Sequence, residues 1–359
     1  MNRSSSALFC LLRLALGAGS GKALRLKEDY SRLTFLSDGD WRTLVTMAFA
    51  QGVAAIAFDG LQKLYDAEPE LALGIDGNAL SMLRYEWLGS VLKTESDYAA
   101  NVCAAEALAK KTPLVVLKGI SVARKYPVPS HRQSVDLDVY GLRDFVPDDE
   151  CRIVRDDYKH TAFRFREVMV EYHKSLTVWR SLKGGREIEQ TLREELGAPE
   201  GMFAGEEFNA LFLAVHSYVH FMLEGGITLR HLCDWMLVFD DLKKENPKEG
   251  ERVLEILGRF GMREFTESMT RVTGYVCTGE PLQLGGTDRR MLDDILSLGD
   301  RKHFADGHLD AAFDILFRSG WKFKAFARES NVACLVRCVL GWLRLRIFSR
   351  SSREIGTSA

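Results

Sequence analysis

The sequence predicts an α+β protein in which a small mixed β-sheet lies between two largely helical regions. Apolar residues recur at three- and four-residue spacing before residue 112 and after residue 206, which is typical of amphipathic helices. Between residues 112 and 180 the pattern changes to short apolar runs and strict alternation, which is typical of strands. We therefore expect a helical region at 1–111, a sheet-containing core at 112–180, a linker at 181–206 and a helical region at 207–359.

The composition limits the class of protein. The chain has 359 residues, of which 46% are hydrophobic and 27% charged. This is typical of a soluble globular protein of about two domains, and it excludes a disordered or collagen-like chain. The net charge of −2 gives no overall basic field for nucleic acid. Seven cysteines, an odd number without a CxxC pair, indicate reduced thiols and a cytoplasmic protein rather than a disulfide framework.

The N-terminal region is expected to be a helical scaffold. Residues 7–16 predict a short amphipathic helix. The alternative is a secretory leader, but Arg13 splits the apolar run and no clean cleavage site follows. Ser37 and Asp40 have the spacing of a capping box and predict a helix start. A longer helix is expected from about Asn78.

The core is expected to contain four strands. Residues 114–117 form a fully apolar run, and a brief helix ending near Tyr126 follows it. Residues 135–140 alternate between apolar and polar positions, which predicts a strand with one polar face. Residues 162–166 and 168–173 predict two paired strands joined by a tight turn.

The C-terminal region is expected to be helical after a loop. Residues 183–206 are rich in Gly and Glu and predict a linker or surface loop. A helix at 208–223 should end at the Gly pair that follows, and Thr228 should cap the next helix. Further helices are expected near residues 252–260, 264–275, 290–298 and 332–350.

Neither of the longest apolar stretches predicts a transmembrane segment. His216 and His220 interrupt the first of them, at 208–223, and Arg337 interrupts the second, at 332–348. Neither reaches ~18 uninterrupted apolar residues.

The chain end is basic. From Trp321 onward there are eight Lys or Arg residues and two acidic ones. Such a helix most often buries its apolar side against its own protein. The alternatives are that Trp342, Phe348, Arg344, Arg346 and Arg350 bind RNA or a membrane surface.

Three carboxylates in the core point to metal-dependent chemistry. Asp136 and Asp138 are two residues apart on a predicted strand, so both side chains leave the same face, about 7 Å apart along the chain. A divalent cation such as Mg²⁺ or Mn²⁺ would relieve their repulsion. Glu171 lies on a later strand and can add a third carboxylate, enough to hold two metal ions for phosphoryl transfer. The alternative is a solvated strand face, since D-x-D also occurs by chance.

Residues near the first strand are candidates for binding phosphate. Gly119 follows that strand directly, so a phosphate can approach its backbone without meeting a Cβ. Lys118, Ser121 and Arg132 are the side chains expected to hold a triphosphate.

These motifs together resemble the uncharacterised nucleotidyltransferase family of the polymerase-β-like superfamily. The resemblance extends over roughly residues 8–300. Its specific motifs are VVLKGIS at 115–121, YP at 126–127, RQSVDLDV at 132–139, KHTAF at 159–163, VEYH at 170–173 and LRHLCDW at 229–235.

The resemblance implies an enzyme that moves a nucleoside monophosphate from an NTP to an acceptor hydroxyl and releases pyrophosphate. Asp136, Asp138 and Glu171 would hold Mg²⁺ or Mn²⁺ at a sheet of polymerase-β type. The acceptor stays open: a small molecule, a protein or RNA. Three departures leave open the alternative of an inactive nucleotide-binding or interaction protein with the same fold: Ile120 at the second small position, Val135 before the first Asp, and the short stretch between Asp138 and Lys159 that holds Pro147.

Other polar residues have two interpretations each. His160 and His173 either contact substrate or end their strands. Arg230 either forms a helix salt bridge with Asp234, four residues on, or faces the nucleotide cleft. His216 and His220 have a metal-compatible spacing, but no Glu follows the first His as in zinc proteases, so a helix-face or core role is expected.

Overall fold

The structure is a computed structural model that describes residues 2–17, 33, 36–67, 78–143, 148–157, 159–178, 181–279, 283–297, 318–327 and 329–340. Within this part of the chain the α+β prediction is confirmed: a five-stranded mixed sheet has helices before and after it.

Within the described residues four helices precede the sheet, and the sequence predicted three of them. The first is capped by the side chain of Asn2, and Ser37 and Asp40 form the expected capping box at the start of the second. The first and third helices pack closely, since a Cβ added to Gly60 would lie 2.0 Å from the carbonyl oxygen of Leu11. The four helices are α1 (Arg3–Leu16), α2 (Asp38–Ala50), α3 (Ala54–Ala67) and α4 (Asn78–Lys111).

The sheet has the order β1-β2-β5-β4-β3. β2 and β5 are parallel, and the other neighbouring pairs are antiparallel. The predicted hairpin is confirmed as β4 and β5. A short helix, α5 (Ile120–Ala123), follows β1. The strands are β1 (Leu114–Val116), β2 (Leu137–Gly141), β3 (Cys151–Asp156), β4 (His160–Phe165) and β5 (Val168–His173).

β3 is a strand that the sequence pattern did not predict. It lies at one edge of the sheet, and nearly all of its side chains are exposed. Ile153 and Val154 are adjacent and both exposed, so the alternation of apolar and polar positions that indicates a half-buried strand is missing.

The two faces of the sheet have different surroundings. One face is apolar and packs against the C-terminal half of α4, through residues such as Leu137, Val139 and Val170. Because side chains alternate along a strand, Asp138 and Glu171 lie on the opposite face. The sheet thus places its polar residues towards the C-terminal helices, where the candidate site is found.

The segment predicted as a linker or surface loop contains a helix, so that interpretation was wrong. α6 (Gly185–Leu196) buries Ile188, Leu192 and Leu196 on one side. These positions are four residues apart, close to the helical period, and most of the charged residues between them are exposed, whereas Glu189 is buried. The abundance of Glu and Gly concealed this periodicity.

The helices between α6 and residue 297 follow the predicted pattern, whereas the helix at Gly320–Phe326 was not predicted. Thr228 caps α8, with its hydroxyl and the ring of His231 forming a capping box. α8 continues through a π-helical turn, Met236–Asp240, into α9. The helices are α7 (Glu206–Leu223), α8 (Leu229–Trp235), α9 (Asp241–Glu245), α10 (Pro247–Arg259), α11 (Arg263–Thr273), α12 (Gly286–Leu296) and α13 (Gly320–Phe326), and residues 331–340 form α14.

The basic tail is described only in part. In α14, Cys334 is buried, whereas Val332, Val336, Val339 and Leu340 are exposed. The tail residues Trp342, Arg344, Arg346, Phe348 and Arg350 lie outside the described residues.

No helix in the described part of the chain is both long enough and apolar enough to cross a membrane. All seven cysteines lie within the described ranges, and none of them forms a disulfide there.

Candidate active site

Asp138 and Glu171 are brought together by the parallel pairing of β2 with β5, in which they are register partners. The ring of His173 lies beside both, with Nε2 3.0 Å from Oδ1 of Asp138 and 3.7 Å from Oε2 of Glu171. One ligand atom from each of these three residues lies within 4.8 Å of the other two. Two carboxylate oxygens and an imidazole nitrogen at this spacing form a donor set that suits a divalent cation.

Asp138 is buried with its charge compensated. Its side chain is 1% exposed, and Oδ2 lies 2.8 Å from Nζ of Lys118. Burial alone would raise the pKa of this carboxyl, but the Lys118 ammonium and the hydrogen bond with His173 outweigh it and lower the pKa below its ordinary value. Asp138 is therefore an anion at neutral pH.

Asp136 is in the opposite electrostatic situation. It lies just before β2 and is half-buried. Burial raises its pKa, and the charges of Asp138 and Glu171 raise it further, against the opposing effect of Lys118 and Arg230. The carboxylates thus repel one another, which is the condition that a bound cation would relieve. Asp136 does not belong to the group of three whose ligand atoms converge.

Gly119 adopts a backbone conformation that favours glycine, with φ 60° and ψ −115°. A Cβ at this position would lie 3.3 Å from Oγ of Ser134. Ser121, in the following helix α5, is buried. Val135 is 77% exposed, so its side chain does not crowd the carboxylates.

Arg132 is held in a buried network, where the sequence predicted a triphosphate contact. Its Nε and Nη2 donate to the two oxygens of Asp234, at 3.0 and 2.6 Å, and its Nη1 donates to Oγ of Ser134. The hydroxyl of Tyr126 donates to the same Asp234 at 2.7 Å. This network ties the loop before Asp136 to α8.

The expected salt bridge between Arg230 and Asp234 was wrong, because Asp234 is occupied by Arg132. Arg230 instead donates from Nη1 to the carbonyl oxygen of Gln133, 3.0 Å away. Its Nε is buried and has no hydrogen-bond partner within the described ranges. Its charge opposes the rise in the pKa of Asp136.

Asp234 is a residue whose role the sequence reasoning missed. It was interpreted only as a local partner of Arg230, since four-residue spacing on a helix is the simplest explanation of such a pair. One signal could have indicated this role. Asp234 lies in the LRHLCDW motif, and Tyr126 and Arg132 lie in other motifs of the same resemblance, where buried polar side chains need a partner.

His160 contacts the third carboxylate. It is the register partner of His173, and its Nε2 lies 3.4 Å from Oε1 of Glu171 and also accepts from Arg155. Burial lowers its pKa to about 4, so the ring is neutral at physiological pH. Both predicted histidines therefore lie at the carboxylate cluster rather than only ending their strands.

His216 and His220 belong to a cluster of three imidazoles. The third is His231 on α8, which the sequence reasoning did not single out. The ring centroid of His220 is 4.3 Å from that of His216 and 5.9 Å from that of His231. Burial is the main cause that lowers the pKa of all three rings, so they are neutral at physiological pH.

A cavity of about 810 Å³ opens at the C-terminal ends of β2 and β5. His173 lines it together with Tyr140 and Tyr172, and Lys174 and Arg193 lie at its border. The cavity therefore adjoins the carboxylate cluster through a residue that both share.

Comparison with known proteins gives one assignment. The model of a family described as "uncharacterised nucleotidyltransferase" matches residues 37–276, which include every predicted site residue. No curated protein and no solved structure gives a significant match to the chain.

Proposed function

The chain belongs to the uncharacterised nucleotidyltransferase family, and on that basis we propose that it transfers a nucleoside monophosphate from an NTP to an acceptor hydroxyl and releases pyrophosphate. The observation that carries the proposal is the pairing of Asp138 with Glu171 on parallel strands, with His173 between them. Carboxylates on adjacent strands facing one point are what metal-assisted phosphoryl transfer requires.

The residues present fit divalent cations. Asp138 and Glu171 supply hard oxygen ligands, His173 supplies a nitrogen, and Asp136 adds a carboxylate whose repulsion a cation would relieve. Two Mg²⁺ or Mn²⁺ ions held there would neutralise the triphosphate and lower the pKa of the acceptor hydroxyl.

The chain's own cations bind the triphosphate. Lys118 supplies an ammonium at the carboxylate cluster, and Arg230 supplies a guanidinium whose Nε has no hydrogen-bond partner within the described residues. Gly119 lets a phosphate oxygen approach the backbone N–H groups at the start of α5. Ser121 supplies a hydroxyl two residues further on.

Arg132 acts by positioning rather than by touching the phosphates. Its side chain is 4% exposed, and the ion pair with Asp234 uses the two nitrogens best placed for a bidentate contact. The network fixes the segment that leads into Asp136 and the helix that carries Arg230. Catalysis that depends on position and charge needs this segment and this helix to be held rigidly.

The test is the release of pyrophosphate from each NTP with Mg²⁺ or Mn²⁺. We expect release by the wild-type protein and its loss in Asp136→Asn, with Asp148→Asn, an exposed carboxylate paired with Lys111, as the matched control. Thermal stabilisation by NTP and metal without release would favour the nucleotide-binding alternative. Binding to RNA or to a membrane surface that survives Asp136→Asn but fails after deletion from Val332 would favour an adaptor protein that works through the basic tail.

A further inference from the structure

α14 has its apolar side in solvent. A helix at the surface of a protein normally turns its polar residues to water and its apolar residues to the core. In α14 every exposed residue is apolar, and these residues are Val332, Ala333, Val336, Val339 and Leu340. The helix therefore presents to solvent the kind of face that is usually buried.

The polar contacts of α14 are made on its other side. Its one charged residue, Arg337, forms an ion pair with Glu329, and Nε of Arg337 donates to the carbonyl oxygen of Ser181, 3.1 Å away. Cys334 is buried, and Leu335 packs against the core. α14 is thus held to the body of the protein through the face opposite to its exposed apolar residues.

Four of the exposed residues form a stripe along the helix. Val332, Val336, Val339 and Leu340 are between 46% and 57% exposed. Their spacing of three and four residues places them on one face. We call these four residues the exposed stripe. Since the sequence predicts a helix near residues 332–350, it also predicts that the stripe continues through Leu343, four residues after Val339, and then Ile347.

The chain at and after the stripe is strongly basic. From Val332 to Arg353 the sequence has five arginines and no acidic residue. Arg337 is paired with Glu329. The other four, Arg344, Arg346, Arg350 and Arg353, lie outside the described residues. An apolar face together with many arginines is typical of a helix that lies in the surface of an anionic membrane.

Charge and side-chain chemistry favour a lipid surface over two other occupants. A second copy packed stripe to stripe would bring two arginine-rich segments together, and like charges across an interface repel. RNA binds arginine through its phosphates and stacks its bases on aromatic rings. It would leave the valines and the leucine of the stripe in water. An anionic bilayer offers phosphates for the arginines and an apolar interior for the stripe.

We propose that α14 docks the protein on a membrane surface that contains anionic phospholipid. The exposed stripe enters the boundary between headgroups and acyl chains, and the arginines that follow bind lipid phosphates. The helix lies in the plane of the interface rather than across the bilayer. This inference does not depend on the proposed function. An enzyme can dock in this way as well as an adaptor, so pyrophosphate release still distinguishes the two.

The experiment measures cosedimentation of the full-length protein with vesicles. One set contains phosphatidylcholine and phosphatidylserine in equal parts, and the other contains phosphatidylcholine alone. The test variant is Val336→Glu with Leu340→Glu. The matched control is Leu88→Glu with Leu92→Glu, which changes two exposed leucines at the same four-residue spacing on α4.

We expect the wild-type protein to bind the vesicles with phosphatidylserine and to bind them less as salt rises. The test variant should bind about tenfold more weakly or less, because it places carboxylates where apolar side chains enter the bilayer. The control should bind as the wild type does. Since Val336 and Leu340 are exposed, thermal unfolding of the test variant should be unchanged, which separates lost docking from lost folding.

The contribution of the arginines is tested separately. Arg344→Gln and Arg346→Gln should each weaken binding by about fivefold. Arg152→Gln removes an exposed arginine from β3 and should have a smaller effect.

Four results would overturn the inference. The first is that the wild-type protein does not sediment with phosphatidylserine vesicles, or binds both sets equally. The second is an equal loss of binding in the test variant and the control. The third is a dimer, measured by analytical ultracentrifugation without lipid, that the test variant dissociates, because a second copy would then cover the stripe. The fourth is binding of poly(U) RNA in place of the vesicles.

Discussion

Asp138 and Glu171 are register partners on the parallel strands β2 and β5, so the backbone pairing itself sets their separation. Neither position depends on a loop. Neighbouring strands lie about 4.8 Å apart, which brings the two carboxylates to one point on the face of the sheet. The geometry of the candidate site is thus a consequence of the pairing of β2 with β5 in the sheet.

The first prediction concerns Asp136→Asn. The pKa of Asp136 is higher in the folded chain than its value of 3.8 in the unfolded chain, so ionisation favours the unfolded chain. Asp136 therefore lowers the free energy of unfolding as pH rises from 3.8 through the folded-state pKa. Asn removes that cost. The free energy of unfolding at pH 7 should be unchanged or higher, whereas activity should fall by about three orders of magnitude. Urea unfolding and pyrophosphate release measure the two. A less stable yet active variant would contradict the assignment of Asp136 to the site.

The second prediction concerns pH and His131. Its Nδ1 lies 2.8 Å from Asp59 and its Nε2 3.0 Å from Glu95. Burial opposes protonation, but the hydrogen bonds to these carboxylates outweigh it and raise the pKa above 6.5. Protonated His131 therefore stabilises the folded chain fully below pH 6.5, and this stabilisation is lost as pH rises through the folded-state pKa of His131.

Accordingly, His131→Gln should lower the free energy of unfolding more at pH 5.5–6 than at pH 9, a difference on the order of 1 kcal/mol. Urea unfolding at the two pH values measures it. An equal loss at both would mean that His131 acts through packing alone.

The third prediction concerns the pair Arg132–Asp234. Asp234→Asn leaves a buried guanidinium without its anion and should cost about 3–5 kcal/mol of stability. Glu195→Gln breaks the exposed bidentate contact with Arg252 and should cost less than about 1 kcal/mol. Chemical denaturation of both variants gives the comparison. Similar losses would show that the buried network does not have the structural importance assigned to it.

The fourth prediction concerns Gly119→Ala. Positive φ and the close approach of Ser134 both disfavour a side chain there, so the variant should lose about 1–3 kcal/mol of stability and most nucleotide binding. Gly39→Ala, within α2, is the matched control. Its nearest contact would be Oγ of Ser37 at 3.8 Å, and Ala should stabilise that helix by up to about 1 kcal/mol. Thermal unfolding with and without NTP tests both, and a Gly119→Ala protein that binds NTP normally would refute the phosphate role.

The sequence predicted the fold wherever the burial pattern was regular. A strand that carries Glu171 could be expected because apolar and polar residues alternate in its segment, but its parallel pairing with β2 was not predicted. β3 was missed because an edge strand with both faces in solvent leaves no periodic pattern. α6 was missed because its apolar residues are few and charged residues separate them.

The site was predicted less completely than the fold, for a different reason. Motif spacing singled out Asp136, Asp138 and Glu171 as candidates, but contacts between distant segments are not encoded in spacing. The sequence predicted that Arg132 binds phosphate. Its partner in the structure is Asp234, which lies far along the chain, so no local pattern indicated this ion pair. The proximity of His231 to His220 depends likewise on how α7 and α8 turn at Gly225 and Gly226.

The central claim is that Asp138 and Glu171 hold the divalent cation at which nucleotide is bound. The most direct test is a crystal structure with Mn²⁺ and a non-hydrolysable NTP, with anomalous scattering used to locate the metal. The account predicts a Mn²⁺ peak coordinated by Asp138 and Glu171 and by the triphosphate. Nucleotide bound elsewhere, or Mn²⁺ absent from these carboxylates while nucleotide is bound, would contradict it.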